Sequence, residues 1–132
     1  MRIRVRETDH VNTYANELED PKELAVKLNE YIKVTGSGRK NSASLQDDML
    51  VISVEGRWMD EKFDNGVKSI SIFGSDGLKL QLLERGQSIV DIEVSGNGKE
   101  MKAEIDDAVI AGLSSSKSRY TIGIKLPEPN KK

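Results

Sequence analysis

No cysteine occurs in the sequence, which removes disulfides, thiolate nucleophiles and thiolate metal ligands together. That absence fits a reducing compartment, and the expectation is a cytoplasmic protein. Histidine is nearly as scarce. The single His10 stands in a surface-looking segment, and no Gly-x-Ser-x-Gly elbow accompanies it, so triad-type nucleophilic catalysis lacks its usual base. Zinc and most transition-metal sites need several Cys or His ligands and are excluded on the same ground. Neither charge sign dominates: 20 Lys and Arg oppose 22 Asp and Glu, a net charge of −2. Global basicity therefore gives no support to nucleic-acid binding, which would have to rest on a local patch. No window approaches the roughly 20 apolar residues of a membrane span, and the opening MRIRVRETDH lacks the apolar stretch of a signal peptide.

Aromatics make up only 5% of the residues, so the core has to be built from Ile, Val and Leu, a composition that favours sheet. Arg2, Arg4 and Arg6 alternate with Ile3 and Val5 at the period of a strand. They read either as edge protection or as a row of phosphate contacts. Between Asp9 and Leu18 the apolar residues Val11, Tyr14, Ala15 and Leu18 fall at helical spacing, and a helical turn or two is one reading of that segment. The best-signalled element follows. Asp20 supplies a cap, Pro21 suits the first helical position, Glu23 completes a capping box, and Leu24, Leu28, Tyr31 and Ile32 recur at i, i+4, i+7 and i+8. A helix is expected over about 21–34.

From Met49 onward the pattern is a meander. Strands alternate apolar and polar residues, and turns are marked by Asp64-Asn65-Gly66, Asp76-Gly77, Arg85-Gly86-Gln87 and Asn97-Gly98, the last a signal for a type I′ hairpin. Asp106 or Asp107 then reads as the cap of a second short helix near 107–113, and one longer helix over 99–113 is the alternative. Tyr120 to Leu126 closes the pattern as a strand. The expected fold is α+β: an antiparallel sheet of five to seven strands on one main helix, a single domain over 1–126, and a disordered tail over 127–132.

Residues 35–48 form a connection longer than usual. In it, Gly36 and Gly38 let backbone N–H groups approach an anion, Arg39 and Lys40 add charge, and Asn41 and Ser42 offer hydrogen bonds. Arg57 and Trp58 add a cation and a ring that can stack. The loop follows a helix and lacks P-loop spacing, so phosphate capture rests on composition alone. The carboxylates Asp60, Glu61 and Asp64 miss the EF-hand pattern and read as a wet acidic turn. With no catalytic constellation and no cofactor signature, the expectation is a non-enzymatic binding protein. Its first reading is capture of a nucleotide or nucleic acid through 36–44. The alternative is a protein-interaction module, an adaptor or inhibitor, using an exposed sheet face or edge around Phe73, Leu83 and Ile89. A homodimer or higher homo-oligomer is a further expectation, through free strand edges.

Overall fold

The computed structural model describes residues 2–9, 11–34, 41–74, 77–86, 88–96 and 98–127. The first two elements are the antiparallel strands β1 (Ile3–Thr8) and β2 (Thr13–Leu18). Alternation places Ile3 and Val5 in the core and leaves Arg4 and Arg6 on the opposite face. The helical reading of 9–18 is therefore replaced by a hairpin. Its physical cause is Asp9, whose Oδ1 accepts the N–H groups of Val11 and Asn12, each at 3.0 Å. That side chain reverses the chain before a helix can start. The supposed apolar face is wet, with Val11 and Tyr14 both exposed.

Helix α1 (Pro21–Val34) has the expected bounds. Asp20 Oδ1 accepts the N–H of Lys22 at 2.9 Å, satisfying one free donor of the first turn. Leu24, Leu28 and Ile32 are fully buried. Two polar links hold the helix in place. Asn29 pairs with the backbone of Ala43 in both directions, at 2.6 and 2.9 Å. Glu7 of β1 accepts hydrogen bonds from Lys27 Nζ at 2.9 Å and Tyr31 Oη at 2.8 Å.

That second link makes stability depend on pH. Burial pushes the Glu7 carboxyl up, but the hydrogen bonds from Lys27 and Tyr31 outweigh it and hold the carboxyl below its ordinary value. Burial and the bond to Glu7 push the Tyr31 phenol up. A carboxylate held low in the folded state stabilises the fold above its unfolded pKa, and the contribution is lost as pH falls through the folded value. Glu7→Gln should therefore cost about 1–2 kcal/mol at neutral pH. Denaturation curves between about pH 5 and pH 3 should then show the variant losing stability less steeply than the parent. Parallel curves would remove Glu7 as a source of acid sensitivity.

The remainder is sheet: β3 (Ser42–Gln46), β4 (Met49–Asp64), β5 (Val67–Gly74), β6 (Lys79–Arg85), β7 (Ile89–Gly96), β8 (Lys99–Asp106), β9 (Val109–Ser116) and β10 (Arg119–Lys125). The order is β2-β1-β8-β7-β6-β5-β4-β10-β9, with β3 also paired to β4. Every pairing is antiparallel. The described residues form ten strands, more than the five to seven expected. The long β4 belongs to both halves of the sheet. Its first part, up to Glu55, pairs with β10 and β3, and from Gly56 it pairs with β5. A bulge between Gly56 and Trp58 marks the change. Leu50, Ile52, Ile122 and Ile124 from one half meet Ile72, Leu80, Leu82, Ile92 and Val94 from the other in one core, which Leu28 and Ile32 also enter.

The second helix near 107–113 is corrected to strand β9, and the longer helix over 99–113 to β8 and β9. A bulge explains the misreading. Ile122 lies opposite Leu113 and Ile124 opposite Ile110, so one extra residue separates the two core-facing side chains of β9. A spacing of three imitates a helical period. Turn chemistry was easier to read: Asn65 and Gly66 take φ of 53° and 78°, and Gly98 takes 77°. Gly96 lies opposite Lys99 across the β7–β8 turn, whose residue Asn97 lies outside the described residues. So do His10 and residues 128–132 of the expected tail.

Candidate functional site

On seven neighbouring strands the face turned away from the core is assembled by register, because alternate side chains of each strand share a side. One row runs Glu17, Arg4, Glu104, Asp91, Leu83, Ser69 and Lys62 from β2 to β4. The next runs Ala15, Arg6, Lys102, Glu93, Gln81, Ser71 and Asp60, and a third runs Thr13, Thr8, Glu100, Ser95, Lys79, Phe73 and Trp58. Between β2 and β6 these rows form an open groove of about 580 Å³.

The first row is locked by ion pairs. Arg4 donates from Nε to Glu104 at 3.1 Å and from Nη2 to Asp106 at 3.0 Å. Arg85 reaches from the end of β6 to Asp91 at 3.2 Å and to Glu104. Hydrogen bonds from Arg4 and Arg85 hold the Glu104 carboxyl below its ordinary value. Burial pushes Asp91 up despite the neighbouring Arg85. Arg85 Nε is buried without a hydrogen-bond partner among the described residues.

The second row is less committed. Lys102 Nζ lies 3.3 Å from Glu93, whereas the exposed Arg6 makes no hydrogen bond or ion pair among the described residues. Arg6 and Lys102 face each other across β1 and β8, a like-charge neighbour pair that costs stability unless an anion joins it. At the far corner, Trp58 and Phe73 stack at a tilt with ring centroids 5.1 Å apart, and Lys79 Nζ stands 5.4 Å from the Phe73 ring. Trp58 is 51% exposed and Phe73 39%, so the lone tryptophan is not an anchor of the core.

The residues singled out for phosphate capture are dispersed in what they do. Gly36, Gly38, Arg39 and Lys40 lie outside the described residues. Asn41 is buried and serves the fold: Nδ2 donates to the Ile32 carbonyl at the end of α1 at 3.3 Å, and Oδ1 accepts the Glu55 N–H at 2.9 Å. Ser42 is exposed in β3, opposite Ser53. Arg57 is exposed within the β4 bulge, directly before Trp58. Arg2, Arg4 and Arg6 guard no edge, since β1 lies between β2 and β8. Arg2 instead pairs with Glu17 at 2.9 Å. The groove residues Glu17, Gln81, Arg85, Asp91, Glu93, Lys102 and Glu104 escaped sequence reasoning. Their only signal was the polar half of each alternating strand, which registers as solvent until the strand order is known.

Among the described residues no group of three or more His, Asp or Glu side chains converges as a metal site, and no helix is long and apolar enough to cross a membrane. Comparison with the models of known protein families, with curated proteins and with solved structures returned no match.

Proposed function

We propose that the chain is a non-enzymatic binding protein whose open sheet face receives a protein surface or extended peptide carrying charges of both signs. One observation carries the reading. The ionisable side chains lining the groove divide evenly, Arg4, Arg6, Arg85 and Lys102 against Glu17, Asp91, Glu93 and Glu104. A nucleic acid brings a negative charge with every phosphate and would meet four carboxylates there. A polypeptide brings both signs, and complementary charges would set its register. Leu83 and Ala15 give the groove apolar floor, and the exposed Trp58–Phe73 pair has the residue types that anchor protein interfaces.

The test is a display selection of random peptides on the purified chain, with affinities measured for the peptides retained. Arg6→Gln with Lys102→Gln should weaken them by roughly fivefold or more, while leaving the unfolding midpoint close to the parent because both side chains are exposed and no like charges are brought together. Equal affinity for parent and double variant would remove the groove as the site. Nucleotides and oligonucleotides belong in the same screen. Binding that falls with salt and with Arg39→Ala, Lys40→Ala, but ignores the groove variants, would return the function to the 36–44 segment.

A further inference from the structure

Strand edges present a row of backbone donors and acceptors, and each edge of this sheet deals with them differently. On β3 the side chain of Asn29 takes both the N–H and the C=O of Ala43, acting as a substitute strand. On β2 the acidic Glu17 is held by Arg2, and Glu19 and Asp20 follow within three residues. Charge of this kind is a common guard against pairing. The start of β9 is also occupied, since the Ile110 N–H lies 3.3 Å from the Glu84 carboxylate of β6 and, just before the strand, the Ala108 N–H donates to the Ser88 carbonyl. Beyond Ile110 the guard stops. From Ala111 to Ser116 nothing among the described residues pairs with the outer edge of β9, which ends the strand order.

The composition of that stretch leaves the edge without a charged guard, as in β3, but here no side chain takes the place of a partner strand among the described residues. The eight residues of β9, Val-Ile-Ala-Gly-Leu-Ser-Ser-Ser, include no charge and no proline, although a third of the whole sequence is charged. Ala111, Gly112 and Ser114 to Ser116 are exposed and small, so another backbone can approach to strand-pairing distance without displacing a side chain.

We propose that the free edge of β9, from Ala111 to Ser116, pairs antiparallel with the same edge of a second copy of this chain about a two-fold axis. The occupant follows from what the edge offers. It presents backbone hydrogen bonds and small uncharged side chains, with no charge along the strand by which to choose a foreign partner. A second copy supplies the same small uncharged edge with no like charges to oppose, and the two-fold closes the assembly after two chains. The groove lies across β2, β1, β8, β7 and β6 and stays open in such a dimer, so each assembly carries two binding faces.

The experiment is sedimentation equilibrium of the full chain up to about 500 μM, the range suited to a small interface. The parent, the double variant Ala111→Lys, Ser114→Lys, and a β2 control, Tyr14→Lys with Asn16→Lys, are compared after their unfolding midpoints are matched. The parent and the β2 control should associate to a two-chain mass, and the β9 variant should stay monomeric. The absence of native cysteine permits a second readout. Single cysteines at Ala111, Gly112, Ser114, Ser115 and Ser116 should form disulfide-linked dimers with yield peaked at one position, because only residues near a two-fold axis meet their own copies. A monomeric parent, a dimer that survives the β9 lysines, a dimer broken by the β2 lysines, or an even cross-linking profile would each overturn the proposal.

Discussion

Leu28→Ala should destabilise the protein by about 2–5 kcal/mol, the range for truncating a core leucine. Leu28 is fully buried on α1, in the same cluster as Ile52, Ile92 and Ile124. Most of that cluster comes from strands whose backbones are held by ladder hydrogen bonds, which leaves the site little freedom to collapse around the missing atoms. Chemical denaturation would measure the loss, and circular dichroism at low denaturant would establish that the sheet persists. A cost under about half a kcal/mol, the range of a surface change, would mean that α1 does not seat on the sheet as described. A cost near the upper end, set against total stabilities of about 5–15 kcal/mol, would leave the variant marginal at room temperature.

Gly56→Ala is expected to cost about 1–3 kcal/mol, by overfilling instead of by emptying. A Cβ on Gly56 would stand 2.8 Å from Tyr120 Cε2 and 2.9 Å from Ile72 Cγ2. Tyr120 comes from β10 and Ile72 from β5, so the new methyl would push apart the two sheet halves where β4 passes between them. Gly112→Ala is the matched control, because nothing lies within 4 Å of its added Cβ, and it should stay within about half a kcal/mol of the parent. Unfolding midpoints for the pair decide the matter. Equal midpoints would mean that Tyr120 swings clear, and that the glycine serves the bulge geometry alone.

Both expectations rest on features of unequal visibility in the chain. Leu28 announced itself, since capping chemistry at Asp20 and Pro21 and the four-residue spacing of apolar side chains are local signals that survive into the fold unchanged. The hairpins at Asn65-Gly66 and around Gly98 were legible for the same reason, because positive φ is a local demand. The two segments misread as helical, 9–18 and 107–113, failed on local ambiguity. Val11 and Tyr14 matched a helical period by chance on an exposed hairpin, and one bulged residue put Ile110 and Leu113 three apart. Nothing within either segment separates these cases, since the arbiter is the partner strand, β1 in one and β10 in the other.

Alternation along each strand, the turns, helix α1 and the aliphatic core were determined by the sequence itself, through interactions spanning a few residues. Strand order was decided only in three dimensions, because β1 takes its place beside β8 about a hundred residues away, and no local preference selects that partner. The groove depends on that order. Arg4 meets Glu104 and Arg6 meets Lys102 only when β1 docks on β8, and Arg85 meets Glu104 only when β7 lies between β6 and β8. The free edge of β9 follows likewise. β9 reads as an ordinary apolar stretch until the chain ends its pairing there, and only then does the absence of charge become a surface.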